Sequence, residues 1–247
     1  MGNSLSLIDV SVAGGGKTIL DAIDLELRGG QLVALMGPNG AGKSSLLKAI
    51  SGHPDCCATS GKILLNGEEI GSCTPEERSR RGIFLAFQNP VELPGVTVAQ
   101  LLKSARQMRL QKDENFDVLG FYDELHGALD GMGMDRSWAN RCVNEGFSGG
   151  EKKRCELLQI IMLKPAFILL DEIDSGLDVD GIRLVADVLT DLIARGTGIL
   201  LVTHQGKLLE SLHVDNVAVL EKGKISRCGG LELAREIERS GDRKSVV

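Results

Sequence analysis

The sequence predicts an α/β fold built around a mostly parallel sheet, and three patterns lead to this prediction. Short apolar runs bounded by turns or charges lie at residues 167–170, 199–202 and 217–220. Apolar residues at helical spacing separate the first two runs and predict an amphipathic crossover helix over 180–195. A glycine-rich loop follows a further apolar run at 32–36. Strands that alternate with helices in this way are typical of a parallel sheet.

More strands are predicted in the first quarter of the chain. Segments 6–12, 23–27 and 62–66 have the apolar pattern of strands, and glycine-rich turns at 14–16 and 29–30 separate them from their neighbours. We expect part of this region to form an antiparallel edge beside the parallel sheet.

The middle of the chain has a different character. Residues 97–146 are rich in Leu, Met, Arg and Asp and poor in β-branched residues, which predicts a helical insertion. We therefore expect a single domain over 1–247, with a core lobe at 1–90 and 155–237 and a helical subdomain at about 91–154. The polar stretch 238–247 shows no packing signal, and we expect it to form a frayed tail.

Composition excludes several classes of protein. The 247 residues are 43% hydrophobic, which is enough for a sizeable core and excludes a disordered chain. The net charge of −6, with no basic block longer than residues 152–154, argues against nucleic acid as the main partner.

The sequence also bears on location. It contains no apolar stretch of about 18 residues and no signal-peptide pattern, so we expect a protein of the cytoplasm or of a stroma-type compartment, without membrane insertion. The start Met-Gly-Asn-Ser-Leu-Ser fits the short N-myristoylation pattern, but we interpret it as an ordinary N-terminus. Six cysteines without a C-x-x-C pair fit reduced thiols.

One loop carries the strongest chemical signal. Gly-Pro-Asn-Gly-Ala-Gly-Lys-Ser occupies positions 37–44, between the apolar run and a predicted helix. Backbone N–H groups of such a loop surround a polyphosphate, the lysine reaches the β- and γ-phosphates, and the serine hydroxyl can bind Mg²⁺. The pattern predicts a P-loop NTPase. The predicted nucleotide-binding residues are Gly37, Pro38, Asn39, Gly40, Ala41, Gly42, Lys43, Ser44 and Ser45.

Two acids follow the apolar run at 167–170. Asp171 and Glu172 are adjacent, and strand alternation sends successive side chains in opposite directions, so the two carboxylates can have different tasks. We expect Asp171 to bind Mg²⁺, directly or through water, and Glu172 to activate the attacking water as a general base.

A second anion site is predicted at the start of another helix. Ser148 is a predicted N-cap, and Glu151 completes a capping box three residues later. This pattern can be a cap and nothing more. However, Ser-Gly-Gly at a helix N-terminus also leaves N–H groups uncovered for an anion.

These motifs together resemble those of the ATP-binding cassette (ABC) ATPases. Residues 37–44 resemble the Walker A loop, 148–151 the signature, 168–171 the Walker B strand and 175–178 the D-loop. Gln88 resembles the Q-loop glutamine and His204 the switch histidine. Taken alone, the two residues favour a strand-end turn residue at Gln88 and a partly buried, hydrogen-bonded histidine at His204. It is therefore the order of six motifs that identifies the family.

The resemblance implies ATP and Mg²⁺ as cofactors and an ATP-dependent head-to-tail pair of subunits. The signature of one subunit would then cover ATP held by the loop of the other, each subunit carrying half of each site. The implied catalytic residues are Lys43, Gln88, Glu172 and His204. The implied Mg²⁺-binding residues are Ser44, Gln88 and Asp171. The implied residues of the site completed by the second subunit are Ser148, Gly149, Gly150, Glu151 and Asp178.

Departures from the usual transporter pattern indicate the branch of the family. Glu151 stands where transport ATPases usually carry Gln, and Asp174 lies in Asp-Glu-Ile-Asp where they usually carry Asp-Glu-Pro-Thr. With residues 86–96 and 145–154, these features resemble the soluble ATPases of the Suf iron–sulfur cluster assembly system. That resemblance implies SufB- and SufD-like scaffold proteins as partners, docked on residues 90–106 through apolar side chains. These side chains are Val91, Leu93, Val96, Val98, Leu101 and Leu102, each of which is equally consistent with packing inside the helical subdomain.

Two other functions share these motifs. A nucleotide-binding subunit of a membrane transporter would dock a permease through the same surface. A DNA-repair or translation ATPase is disfavoured, because such proteins normally carry long insertions or two cassettes. The family often stacks adenine on an aromatic residue, but Val12 is predicted at that place, which favours modest affinity and weak discrimination against GTP.

Overall fold

The computed structural model describes residues 2–88, 90–110, 114–203 and 206–242, with side chains described up to residue 239. The strands are β1 (Ser4–Gly14), β2 (Lys17–Arg28), β3 (Leu32–Met36), β4 (Cys57–Leu65), β5 (Glu68–Glu69), β6 (Ile83–Ala86), β7 (Leu93–Thr97), β8 (Cys142–Val143), β9 (Phe167–Asp171), β10 (Gly198–Val202), β11 (Asn216–Glu221) and β12 (Lys224–Gly229).

The helices are α1 (Lys43–Ser51), α2 (Pro75–Arg80), α3 (Val98–Gln107), α4 (Val118–Gly131), α5 (Gly149–Leu163), α6 (Val179–Ala194), α7 (Gly206–Glu210) and α8 (Leu231–Asp242), with a 3₁₀ turn at Arg136–Asn140. The chain divides into two compact units. The first contains residues 1–88, 165–175 and 189–247, and the second contains 89–164 and 176–188.

The first unit is organised by a six-stranded sheet in the order β12-β11-β3-β10-β9-β6. Five neighbouring strands are parallel, and β12 is antiparallel to β11 at one edge. Every residue of β3, β9 and β10 is buried. Strands covered on both faces are continuous apolar runs, which is why these three segments lack polar alternation.

A second sheet in the same unit is antiparallel, in the order β2-β1-β4-β5. Leu5 pairs with Leu27 on one side and with Leu65 on the other, so three leucines lie across the sheet. All three belong to the hydrophobic cluster that also contains α1 residues Leu46 and Ile50. Burial of this face fixes the register, because a slip by one residue would turn the apolar set outward.

The second unit consists of helices and one small sheet. Helices α3 and α4 both pack against α5, and β7 pairs with β8. Each helix start has a polar cap. Thr97 caps α3, Asp117 caps α4, and Ser148 caps α5.

The predicted strands and crossover helix are present, with some changes of length. Strand β4 begins at Cys57, before the predicted 62–66 segment, and Asn66 is a turn residue. The insertion at 97–146 is helical only in part, because Cys142 and Val143 form β8. The second unit keeps all of α5 and takes residues 176–188, so its boundary differs from the expected 154.

The predicted tail at 238–247 is wrong for its first five residues. Helix α8 continues to Asp242, and it packs on α7, β11 and β12. Leu233 and Ala234 provide the buried face of this helix. Arg227 of β12 pairs with Glu236 of the helix through its two terminal guanidinium nitrogens, at 3.0 and 2.6 Å. The polar composition was misleading because one narrow apolar face is enough to dock a helix. Residues 243–247 lie outside the described part.

Candidate active site

Three of the four predicted catalytic residues, Lys43, Gln88 and Glu172, lie at the carboxyl ends of the parallel strands. Strand β3 leads into the glycine loop, β9 ends at Asp171, and β10 ends one residue before Thr203. Strand β6 ends two residues before Gln88. Because carboxyl ends of parallel strands share an edge, residues far apart in sequence converge here. His204 lies outside the described residues, so its predicted role as switch histidine stays a prediction.

At two positions of the glycine loop, the backbone conformation and the close neighbours require glycine. Gly37 has a φ of 144°, and a Cβ there would lie 2.1 Å from the Leu220 carbonyl oxygen of β11. Gly42 has a φ of 106°, and a Cβ there would lie 2.6 Å from a methyl carbon of Leu20. Helix α1 begins directly after Gly42, so its free N–H groups and positive dipole end face the loop.

Lys43 is the first residue of α1, and its side chain is buried. Its ammonium donates to the carbonyl oxygens of Gly37 at 2.7 Å and Pro38 at 3.0 Å, which ties both ends of the loop together. Burial lowers the pKa of Lys43, whereas the negative charges of Glu172 and Asp171 oppose that shift. A cation therefore stands where a polyphosphate would be cradled.

Ser44 and Asp171 form the oxygen pair expected for Mg²⁺. The Ser44 hydroxyl hydrogen-bonds the Asp171 carboxylate, which is buried. Burial raises the pKa of Asp171, and the hydrogen bond from Ser44 opposes it. A buried carboxylate of this kind gains from a cation, and Mg²⁺ takes one or two protein oxygens together with phosphate oxygens. The residues therefore fit the ion.

Glu172 is held in an uncommon conformation next to Asp171. Its φ is 52°, the left-handed region that side chains rarely adopt. Its N–H donates to the Val202 carbonyl of β10 at 3.0 Å, and its carboxylate accepts from the Gln88 side-chain amide at 2.7 Å. Gln88 therefore contacts the predicted base, and residues of three strand ends meet at Glu172.

A further contact joins the loops after β9 and β10. Thr203, which is fully buried, donates its hydroxyl hydrogen to the Asp174 carboxylate at 2.5 Å. Asp174 is the residue that departs from the usual transporter pattern, and it is also buried. The departure is therefore accommodated by a specific hydrogen-bond partner.

The signature residues of the second unit form the predicted capping box at the start of α5. The Glu151 N–H donates to the Ser148 hydroxyl at 3.3 Å, and the Glu151 carboxylate accepts from the Ser148 N–H at 2.8 Å. Ser148 and Gly149 are exposed, which leaves the helix N-terminus accessible.

A cavity of about 430 Å³ lies beside this helix start, within the second unit. Four of the five predicted residues of the shared site line it: Ser148, Gly150, Glu151 and Asp178. Asp178 caps the start of α6 by accepting from the Gly181 N–H at 2.8 Å. Arg154, which belongs to the 145–154 motif, also lines the cavity, as does Trp138, which no sequence motif indicated.

The segment that follows Gln88 in the chain is built onto the residues before the signature. Leu93 of β7 pairs with Val143 of β8, and the Asn144 side-chain amide donates to the Val91 carbonyl at 2.8 Å. Lys152 on the first turn of α5 pairs with Glu92 at 2.9 Å. The segment 91–97 therefore contacts both sides of the signature.

Only part of the predicted apolar docking set is on the surface. Val91 is 67% exposed, Leu93 36% and Val96 37%. Val98 and Leu102 are buried in the second unit, and Leu101 is half-buried. For Val98 and Leu102 the packing alternative is correct, because both residues sit on the inner face of the amphipathic helix α3.

Val12 was also placed wrongly as the residue next to adenine. It is fully buried in β1, where it pairs with Leu20 and Ala58. Its side chain therefore packs in the core of the antiparallel sheet and presents no surface to a base. All six cysteines are free thiols, as predicted. Among the described residues, no helix is long and apolar enough to cross a bilayer.

A phosphate-binding loop after one parallel strand and an acidic pair after another place the protein among the P-loop nucleotide hydrolases. Within that class, the chain belongs to the ABC transporter family, whose pattern matches residues 20–175. The protein is accordingly an ATPase with the ABC fold.

Similar proteins cover nearly the whole chain. Vegetative protein 296 of Bacillus subtilis is 41% identical over 239 residues, which is 97% of this chain and 92% of that protein. The probable ATP-dependent transporter slr0075 of Synechocystis is 42% identical over 240 residues, covering 96% and 93%. A dimeric ABC cassette solved in a post-hydrolysis state with ADP and phosphate is 20% identical, covers 92% and 98%, and has a TM-score of 0.79.

Proposed function

We propose that this protein is a SufC-type ATPase, which uses ATP hydrolysis to change the conformation of a SufB- and SufD-like scaffold during iron–sulfur cluster assembly. The observation that carries this proposal is how the two departing acids are held. Glu151 pairs with Arg141 at 3.0 Å, and Asp174 pairs with Thr203 at 2.5 Å. Because each acid has a matched partner, the Suf-like motif pattern belongs to the architecture of the site.

The nucleotide is bound by the glycine loop and the start of α1. The ammonium of Lys43 already lies among the loop carbonyls and within the field of two carboxylates, so it can move to a phosphate oxygen over a short distance. Ser44 and Asp171 would hold Mg²⁺, which would neutralise charge on the β- and γ-phosphates.

Glu172 would orient and deprotonate the attacking water. The Gln88 amide donates to its carboxylate, and the Glu172 N–H is fixed to β10, so the base has a defined direction. His204 would bind the γ-phosphate next to this water. The buried Asp174–Thr203 hydrogen bond would support the backbone that follows Glu172 and the backbone that precedes His204.

The second half of each site would come from another copy of the chain. Ser148, Gly149, Gly150 and Glu151 present a helix N-terminus, and Asp178 lies at the same cavity as the signature. The dimeric cassette of the same fold that was solved with ADP and phosphate supports this proposal. We expect the pair to form with ATP and to separate after hydrolysis.

The scaffold would dock on the exposed side chains of Val91, Leu93 and Val96. In the helix α3 that follows, Val98 and Leu102 are buried, so the exposed apolar side chains of the predicted docking set lie in residues 91–96. A partner that presses on this segment would act on the signature through β8, Asn144 and the Lys152–Glu92 pair.

The proposal is tested by purifying the tagged protein from the soluble, detergent-free fraction of its native host and identifying stoichiometric partners by mass spectrometry. We expect SufB- and SufD-like proteins. In Val91→Asp they should be lost, whereas the matched control Leu119→Asp, at an 80% exposed apolar residue of α4, should retain them. Retention by both variants would contradict docking on residues 91–96.

A second candidate function is the motor subunit of a membrane transporter. It is favoured by the name of the Synechocystis relative, a probable ATP-dependent transporter. The same purification separates the two functions, because recovery of a polytopic permease after detergent extraction, without soluble scaffold proteins, would support transport.

A further inference from the structure

The signature carboxylate Glu151 has two polar neighbours. One carboxylate oxygen accepts from the Ser148 N–H at 2.8 Å, and the other accepts from the guanidinium of Arg141 at 3.0 Å. Arg141 comes from the loop before β8, ten residues earlier. A side chain outside the recognised motif therefore reaches the first turn of α5.

The Arg141 guanidinium also lies against two aromatic rings. Its central carbon lies 4.4 Å from the centre of the Trp138 ring and 4.1 Å from the centre of the Phe147 ring. The two rings contact each other edge-on, with centres 4.8 Å apart. Phe147 directly precedes Ser148, so Arg141 contacts the residues on both sides of the signature serine.

The backbone of Arg141 is fixed at the same time. Its N–H donates to the Trp138 carbonyl at 3.2 Å, and its carbonyl accepts from the Val98 N–H at 3.0 Å. A cation that contacts two rings and a carboxylate, with both of its backbone groups bonded, has little freedom to rotate. The position of Glu151 is thereby set by a rigid neighbour.

We infer that Arg141 is a positioning residue for the signature, which holds Phe147 and Glu151 so that Ser148 faces nucleotide, and which neutralises Glu151 beside the anionic phosphates. The inference rests on the proposed function, because it takes Ser148 as a contact to ATP bound by a second copy. Without Arg141, an uncompensated carboxylate would stand next to the triphosphate and repel it.

The ionisation of Glu151 agrees with this arrangement. The hydrogen bond from the Ser148 N–H, followed by the one from Arg141, lowers the pKa of Glu151 to about 2. The carboxylate is therefore fully charged at neutral pH, and the Arg141 charge offsets a full negative charge.

The test compares steady-state hydrolysis and monomer ATP affinity in Arg141→Met. We expect kcat to fall about 10- to 100-fold, the rate equivalent of one charge-assisted hydrogen bond, with unchanged monomer affinity. The double variant Arg141→Met with Glu151→Gln should recover most of the rate, because a neutral amide can keep the cap and needs no counter-charge. Arg227→Met, which breaks an exposed pair with Glu236 in the first unit, is the matched control and should keep the wild-type rate.

A spectroscopic measurement checks the stack itself. Trp138 is the single tryptophan of the chain, so its emission reports this place without labelling. Loss of the guanidinium uncovers one ring face, and quenching by acrylamide should increase in Arg141→Met and not in Arg227→Met. Arg141→Lys, which keeps the charge without the planar group, should lie between wild type and Arg141→Met in both rate and quenching, and it serves if Arg141→Met does not fold.

The outcomes separate this inference from the proposed function. Ser148→Arg should abolish hydrolysis while sparing monomer ATP binding. If Ser148→Arg is inactive but Arg141→Met and Arg141→Lys have the wild-type rate, the positioning role is overturned and the shared site stands. If Ser148→Arg hydrolyses ATP normally, the shared site itself is overturned. A rate lost in Arg141→Met and not regained with Glu151→Gln would also sink the inference, since it would leave Arg141 a packing role alone.

Discussion

Two regions of the molecule are stabilised by different interactions. We call residues 37–44, 171 and 172 of the first unit the nucleotide edge, and residues 138–154 of the second unit the signature region. At the nucleotide edge, buried strands, two glycines with positive φ and a lysine bonded to loop carbonyls fix the geometry. In the signature region, half-exposed ion pairs and one stack around Arg141 fix it. Backbone in a core has few alternatives, whereas surface side chains can exchange partners.

The comparison shows how one chain can combine a rigid phosphate site with an adjustable one. Exposed ion pairs contribute about 0 to 1 kcal/mol each, so the pairs of the second unit outside the Arg141 contacts, such as Lys152 with Glu92, can break and form at small cost. A region with these links can respond to a docked partner or to nucleotide, because responsive elements come from the less stable parts of a fold.

The largest effect, a fall in kcat, is expected when the general base of the nucleotide edge is removed. Glu172→Gln should lower kcat about 1,000-fold, because an amide cannot accept the proton of the attacking water. ATP binding should persist, and an ATP-bound pair should accumulate, as seen by nucleotide titration and gel filtration. Glu221→Gln, at the exposed end of another parallel strand, is the control. Normal turnover in Glu172→Gln would assign the base elsewhere.

The next effect compares one glycine from each region. Gly37→Ala should lower the free energy of unfolding by about 3 kcal/mol or more, because positive φ and a collision with the Leu220 carbonyl act together. Gly149→Ala should change it by less than about 0.5 kcal/mol, since no atom lies within 4 Å of a Cβ there. Urea unfolding measures both values. Equal losses would mean that the two sites do not differ in rigidity.

The smallest expected effect is the stability contribution of one carboxylate in the second unit. Glu124 of α4 accepts hydrogen bonds from Arg106 of α3 and from Lys164 at the end of α5. Burial alone would raise the pKa of Glu124, but Lys164 and Arg106 hold it below its ordinary value. Glu124→Gln should therefore cost about 1 kcal/mol of stability at neutral pH, after allowance for solvent screening.

The sign of its pH dependence follows from the lowered pKa. The contribution of Glu124 is fully present above the pKa of the unfolded chain, about 4.3, and is lost as pH falls through the folded value. The gap in free energy of unfolding between wild type and Glu124→Gln should therefore close below that pH range. Urea unfolding at several pH values measures it. Glu68→Gln, in an exposed pair with Arg81, should show a smaller gap. A gap that persists in acid would contradict an electrostatic cause.

The nucleotide edge was largely predictable and the signature region was not. The loop 37–44 and the pair Asp171–Glu172 are local patterns beside apolar runs, and their neighbours follow from the rule that parallel strands end at one edge. The β7–β8 pairing and the role of Arg141 depend on contacts over ten to fifty residues, for which the sequence carries no periodic signal. The final helix α8 was missed because its apolar face is narrow.

By itself the sequence determined the fold class, the phosphate loop, the acidic pair and the capping box, because each depends on residues close together in the chain. Tertiary structure alone decided that Gln88 holds Glu172, that Asp174 pairs with Thr203, and that Val12 is buried. It also decided which side chains of 91–102 remain on the surface. Those outcomes depend on which faces of strands and helices are covered, and covering is a property of the packed chain.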